Sequence, residues 1–187
     1  MDELLDQMDA RGVTFAPASG RQVWTLIDMF PGRPGMTVIG ENGGIVMRDG
    51  VEVSSSPLDA PTMREAVRLV REATSGPDGI DGGLVMCGKQ FAYVERTDDR
   101  FVDGVLPYYH RTKRVDDQIA IIDAIEAGEL DDAIVKLAVY VIGPVQVLAE
   151  ATLANFADTH QYAISGANWA DLQIRGVDKG SAVRDLQ

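Results

Sequence analysis

Val13-Thr14-Phe15-Ala16-Pro17-Ala18-Ser19-Gly20-Arg21-Gln22 is the stretch on which the fold class turns. Val13 to Ala18 reads as a short β-strand that ends abruptly in a small polar loop. Gln22 to Phe30 then reads as a helix with Val23, Leu26, Ile27 and Phe30 on its inner side. Strand, polar loop and helix in that order belong to α/β proteins. In sheets of mostly parallel strands the binding crevice lies at the carboxyl ends of the strands, where free N–H groups of the next helix favour an anion. The loop offers three groups to such a ligand: the Ser19 hydroxyl, the flexible Gly20 backbone and the Arg21 cation. Taken alone, a serine ahead of a helix is more often a plain cap than a site.

Upstream, Asp2 to Ala10 places Leu4, Leu5 and Met8 on one helical face, and Arg11-Gly12 supplies a cationic last turn and a C-cap. A helix that leads at once into a buried-looking strand reads as the second half of a βαβ unit, so a strand is expected ahead of it. Downstream, Pro31, Gly32, Pro34 and Gly35 break the chain before a strand over Thr37 to Ile39. Ile45 to Met47 and Val51 to Val53 flank Arg48-Asp49-Gly50, and the Asp-Gly pair predicts a β-hairpin.

From about Leu58 the texture changes. A Pro61-led helix buries Met63, Ala66, Val67 and Val70, and a Gly-rich loop from Ser75 to Gly83 follows as a hinge. Beyond it the patterns predict strands at Leu84 to Met86, Phe91 to Glu95, Ile134 to Ile142, Gln161 to Ile164 and Trp169 to Ile174. Helices are expected over Asp98 to Tyr108, Asp116 to Glu126, Pro144 to Ala157 and Gly180 to Leu186. Helices interleaved with antiparallel-looking strands suggest an α+β unit, one sheet with helices on one face. The expected division is 1–58 for a core part with the serine loop and hairpin, 59–170 for an inserted cap and 171–187 for the return to the core.

Three segments recur in a telling order: Ala18-Ser19-Gly20-Arg21, Glu41-Asn42-Gly43 and Gly176-Val177-Asp178-Lys179-Gly180. The series resembles the Cof-type sugar phosphatases of the haloacid dehalogenase superfamily, which carry an A-[ST]-G-R-like loop, E-N-G, a long cap insertion and a G-x-x-K-G-like segment. The likeness extends to Gly12-Val13-Thr14-Phe15, Cys87-Gly88, Ala92-Tyr93-Val94, Tyr109-His110-Arg111 and the segment from Ser165 to Ile174. It implies an α/β fold: a partial Rossmannoid core, a parallel sheet with helices, and an inserted α+β cap. It further implies Mg2+-dependent hydrolysis of small phosphomonoesters such as sugar phosphates, through an aspartyl-phosphate intermediate.

Carried over residue by residue, the resemblance makes Ser19 and Lys179 catalytic. Ser19, Gly20, Arg21 and Lys179 bind phosphate, and Asn42 and Gly43 orient substrate or cap. The family's D-x-D-G-T segment, which bears the nucleophile and the proton shuttle, has no match here, nor does its metal-holding G-D-x-x-N-D. The expectation is therefore a chain truncated at both ends, with its Mg2+ ligands outside it. Such a chain would be inactive alone and would either self-associate through its incomplete core or rearrange that core. The alternative is a catalytically inactive phosphate-binding, ligand-binding or assembly module derived from the same family.

Competing accounts exist for the remaining candidates. Arg21 either reaches phosphate or pairs with an acidic neighbour; Lys179 could be a solvated surface lysine; Asn42-Gly43 could be a plain turn. No G-x-S-x-G elbow surrounds Ser19, so His110 and His160 are expected on the surface or cap and not in a triad. The pairs Asp98-Asp99, Asp116-Asp117 and Asp131-Asp132 each fall near an expected helix start and read as caps. Lys136, Tyr93, Asn168 and Trp169 are candidates to face a sugar, although alternation along strands turns half of such residues outward.

Composition narrows the partners. The 187 residues are 45% apolar and 25% charged, ordinary for a globular protein, with a net charge of −12. That charge argues against nucleic acid or an anionic membrane, and the expected partner, a small phosphorylated metabolite, is what the resemblance implies. Cys87 is the single cysteine and reads as a small core residue, so no disulfide forms within the chain and a reducing cytoplasm is the expected compartment. No apolar run reaches the roughly 18 residues of a membrane-spanning helix.

Overall fold

The computed structural model describes residues 2–33 and 35–186; Pro34, one of the expected chain breakers, and Gln187 lie outside them. An Asp-Gly turn sets the first sheet. Asp49 (φ 53°) and Gly50 (φ 76°) are both left-handed, the type I′ geometry whose twist matches that of paired strands. They join β2 (Ile45–Arg48) to β3 (Val51–Ser55), and β1 (Thr37–Gly40) completes a three-stranded antiparallel sheet in the order β1-β2-β3. Helices α1 (Asp2–Asp9) and α2 (Val23–Met29) precede it, and Val23 and Leu26 pack with Val38, Ile45 and Met47.

The strand expected over Val13 to Ala18 does not form. Only Ala18 bridges to Ile39, in parallel, with the Ile39 N–H donating to Pro17 O at 2.9 Å and the Ser19 N–H donating to Ile39 O at 3.0 Å. Pro17 has no N–H to extend a ladder, and Val13 is exposed where a core strand would bury it. The parallel contact nevertheless delivers the Ser19 loop to the end of β1.

A larger sheet follows helix α3 (Ala60–Thr74), whose first turn is capped by Asp59 accepting from the Thr62 N–H at 2.9 Å. Its strands are β4 (Gly82–Gly88), β5 (Ala92–Val94), β6 (Thr112–Arg114), β7 (Ile134–Val141), β8 (His160–Ile164) and β9 (Trp169–Ile174), in the spatial order β6-β5-β4-β7-β9-β8. All neighbours are antiparallel except β5 and β6. Between them lie α4 (Asp99–Val105), α5 (Gln118–Glu126) and α6 (Gln146–Ala151), and α7 (Lys179–Arg184) ends the chain. Among the described residues no helix is long and apolar enough to cross a membrane.

Period-two alternation sorts this sheet into two faces. Leu84, Met86, Leu137, Val139 and Leu172 pack under α3, α5 and α6. Val85, Cys87, Ala138 and Trp169 face the other way and pack with Phe101 and Val105 of α4. Helices therefore cover both faces, where one was expected, because strands apolar on both sides need cover on both. The helix expected from Pro144 to Ala157 breaks at Thr152, whose hydroxyl donates back to Leu148 O at 2.6 Å; a 3-10 turn over Leu153–Phe156 replaces its second half.

Two of the acidic pairs do cap helices. Asp98 accepts from the Phe101 N–H and Asp117 from the Ile119 N–H, while Arg96 and Arg71 respectively hold their carboxyls below the ordinary range. Depressed carboxylates stabilise the fold above their unfolded value of about 3.9, and that contribution is lost as pH falls through the lower folded values. Asp98→Ala and Asp117→Ala are thus expected to flatten the acid limb of a denaturation-versus-pH curve, modestly because both sites are exposed; identical limbs would contradict this. The third pair behaves otherwise: no helix starts at Asp132. Buried Asp132 accepts from the Gln90, Phe91 and Ala133 N–H groups and from Tyr93 Oη at 2.7 Å, pinning the β4–β5 turn to the start of β7.

Candidate active site

Three distant segments converge on one cleft of about 1160 Å3, whose lining includes Ser19, Gly20, Arg21, Asn42, Lys179 and Gly180. Backbone contacts lock the first two together: the Asn42 N–H donates to Ser19 O and the Glu41 N–H to Arg21 O, each at 3.0 Å. A Cβ on Gly20 would lie 2.8 Å from Asn42 Oδ1, and one on Gly43 would lie 2.3 Å from the Asp178 carbonyl oxygen. Glycine at position 20 lets the serine loop lie against the Asn42 side chain, and glycine at position 43 lets the turn touch the start of α7 backbone to backbone. At that start Asp178 accepts from the Ser181 N–H at 2.7 Å, and Ser181 Oγ accepts in return from the Asp178 N–H at 2.9 Å; Lys179 stands exposed on the first turn.

Ser19 is not a helix cap. The N-cap of α2 is Gln22, and the Ser19 hydroxyl accepts from the Arg21 N–H at 3.3 Å. At the α2 N-cap the Gln22 N–H donates to Tyr108 O at 3.1 Å. Arg21 stacks its guanidinium over the Tyr108 ring, 4.7 Å from the centroid.

The opposite wall comes from the large sheet and the segment after α4. Trp169 gathers Tyr108, Tyr109 and Tyr140 at ring-centroid distances of 5.3, 5.8 and 4.8 Å, and Asn168, Gln161 and Asp103 add polar groups. This wall is tied to α2. Gln22 exchanges two bonds with the Arg111 backbone at 3.0 and 2.8 Å, Thr25 Oγ1 donates to Tyr108 O, and the His110 N–H donates to Thr25 Oγ1. Of the four sugar-facing candidates, Asn168, Trp169 and Lys136 line the cleft, whereas Tyr93 is buried against Asp132 outside it. The histidines stand apart from Ser19: His110 Nδ1 lies 2.8 Å from Asp28 Oδ2 and His160 contacts Thr159. Cys87 is buried, and burial pushes its thiol well above its ordinary range.

Beneath the cleft lies a buried charge cluster. Lys136 Nζ is 2.7 Å from Glu41 Oε2 and 3.9 Å from Asp171 Oδ2, and it donates to Gly20 O at 2.7 Å. Asn42 Nδ2 donates to Asp171 Oδ2 at 2.8 Å. Burial works to lower the Lys136 pKa, but the charges of Asp171 and Glu41 outweigh it and hold the ammonium protonated. Apart from the ion pair, neither Glu41 oxygen accepts a hydrogen bond from any described residue. The cluster was visible in part: a single lysine inside the apolar run Ile134–Val141 must be paired if the strand is buried, and Trp169, Asp171 and Gln173 alternate with Ala170 and Leu172.

Magnesium does not fit what is present. No group of three His, Cys, Asp or Glu side chains suited to a metal occurs among the described residues. Of the described carboxylates near the cleft, Glu41 and Asp171 are engaged by Lys136 and Asn42 and Asp178 by the Ser181 N–H, and Asp103 stands on the opposite wall.

A small antiparallel sheet, a serine loop that bridges to it in parallel and a mixed sheet clad with helices make up a mixed α/β architecture. The sequence profile of the haloacid dehalogenase-like hydrolases matches residues 1–187, and the chain belongs to that family, within which it is Cof-type. It is 31% identical to the 5-amino-6-(5-phospho-D-ribitylamino)uracil phosphatase of Escherichia coli, over 97% of this chain and 62% of that protein. Among solved structures it superimposes on a haloacid dehalogenase-like hydrolase from B. subtilis with a TM-score of 0.75, at 14% identity over 99% of this chain and 70% of that one. It matches a sugar phosphatase of haloacid dehalogenase subclass IIB with a TM-score of 0.70, at 12% identity over 98% and 65%. The chain thus spans less than two thirds of the curated relative's length.

Proposed function

We propose that this chain is the phosphate-binding and cap portion of a Cof-type phosphatase acting on small phosphomonoesters, with the cap covering about residues 59–170. The observation that carries this reading is the convergence of Ser19, Gly20, Asn42 and Lys179 on one cleft. Ser19 would hold phosphoryl oxygens through its hydroxyl and the Gly20 amide. Its own N–H is spent on Ile39. Lys179 would neutralise the phosphate, a task suited to a compact ammonium on a flexible stem. The aromatic wall and its polar rim would receive the rest of the substrate. A uracil-bearing phosphate, as named for the Escherichia coli relative, and a sugar phosphate, as named for the subclass IIB relative, are the two chemistries this points to.

In the family Mg2+ supplies charge neutralisation for phosphoryl transfer. Because the described residues do not assemble a site for it, we propose that this chain alone binds phosphate but turns nothing over. The same observation favours a second reading, a non-catalytic phosphate-binding module. Calorimetry with inorganic phosphate should show binding that Lys179→Ala and Ser19→Ala each weaken about tenfold or more, the usual effect of losing a charged hydrogen bond. Equal affinity in Lys179→Ala would sink the phosphate reading. Magnesium-dependent hydrolysis of p-nitrophenyl phosphate that vanishes in Lys179→Ala would refute inactivity.

A further inference from the structure

The Glu41-Asn42-Gly43 turn holds a conformation that needs a reason. Glu41 (φ 49°) and Asn42 (φ 56°) are both left-handed without being glycine, and Gly43 (φ 103°) follows directly. Such backbone persists only where its surroundings over-determine it. Here they come from the opposite sheet. Lys136 of β7 pairs with Glu41, Asp171 of β9 accepts from the Asn42 side chain, and Lys136 reaches past both to donate to the Gly20 carbonyl. Lys136 and Glu41 are each only 1% exposed, so neither belongs to an adaptable surface pair.

We propose that Lys136 is a positioning residue: from the large sheet it fixes the Ser19-Gly20-Arg21 loop and the Glu41-Asn42-Gly43 turn in the geometry that receives phosphate. Nζ is a single atom with three donors, and two of its partners, Gly20 O and Glu41 Oε2, belong to the two segments that build this side of the cleft. Losing it frees both at once. The Gly20 carbonyl then rotates, and with it the adjacent peptide that presents Ser19 and Arg21. The effect on phosphate rests on the function proposed above; the tether itself does not.

The test compares the parent chain with Lys136→Met/Glu41→Gln, which removes the tether together with the charge it would otherwise leave buried opposite, and with Lys179→Ala. The double variant is expected to keep the parent's melting temperature and its slow amide exchange at Leu137 and Val139 in β7. Exchange of the Glu41 and Asn42 amides should quicken about tenfold or more, and affinity for inorganic phosphate should fall about tenfold to a hundredfold. A merely structural lysine would move the melting temperature and leave the exchange ratio between turn and sheet untouched. Unchanged exchange at Glu41 and Asn42 overturns the proposal, as does unchanged phosphate affinity where Lys179→Ala abolishes it. If the parent binds no phosphate, or Lys179→Ala binds as tightly as the parent, the functional reading falls and the exchange ratio alone decides the tether. Should the double variant not fold, Lys136→Arg keeps the buried charge but cannot place one nitrogen on both partners, and the same two readouts decide.

Discussion

Replacing Lys136 alone by methionine is expected to destabilise the folded chain by about 3–5 kcal/mol, the usual cost of removing one partner from a buried ion pair. Methionine fills nearly the same volume, so packing is not the reason. Among the described residues Glu41 loses its one ion-pair partner, Asp171 keeps only the Asn42 amide, and the Gly20 carbonyl loses its side-chain donor. The carboxylates would then be buried and uncompensated. Urea denaturation at neutral pH should show the midpoint falling with little change in slope. Adding Glu41→Gln should bring stability back to the parent's level, because a neutral pair replaces an unbalanced charge. A loss below about 1 kcal/mol for the single variant would mean that water reaches the cluster and that the pair behaves as a surface bridge.

Gly43→Ala is the second large effect, with an expected cost of about 2–5 kcal/mol. Two penalties combine. A φ of 103° strains any residue with a Cβ, at roughly 1–2 kcal/mol. The new methyl would also stand 2.3 Å from the Asp178 carbonyl oxygen, a backbone atom that cannot rotate away; overpacking of this kind costs about 1–3 kcal/mol. Gly50→Ala supplies the control, since Gly50 is also left-handed (φ 76°) but nothing lies within 4 Å of its Cβ position. It should show only the conformational part. Relief of the clash requires the start of α7 to move away, so Gly43→Ala should also raise proteolytic cleavage after Lys179 or Arg184. Equal stability losses at Gly43 and Gly50 would show that the close approach to Asp178 does not exist in solution.

Both effects fall where sequence and structure divide. Turn chemistry was legible because it is local: Asp49-Gly50 marked a hairpin, and the Pro61-led helix, the β9 strand over Trp169–Ile174 and the caps at Asp98 and Asp117 stand where their residues placed them. The ordered motifs gave the family and, with it, the fold. The strand over Val13 to Ala18 misled because periodicity says nothing about whether a neighbour is there to pair, and Pro17 withholds a donor from the ladder. Asp132 misled because a carboxylate that binds a turn from another strand looks, in sequence, like one that begins a helix.

By itself the sequence determined the α/β class, the order of most elements and the short list Ser19, Gly20, Arg21, Asn42, Gly43 and Lys179, since each depends on neighbours a few residues apart or on a motif read whole. Only the tertiary structure decided that Ser19, Gly20, Arg21, Asn42 and Lys179 share a cleft while Gly43 packs against the Asp178 backbone, that aromatic rings form its far wall, and that Lys136, Glu41 and Asp171 join the two sheets beneath it. The reason is physical. A buried charge is tolerated only beside its partners, and those partners come from β7, β9 and the turn after β1, brought together by packing that no local pattern encodes.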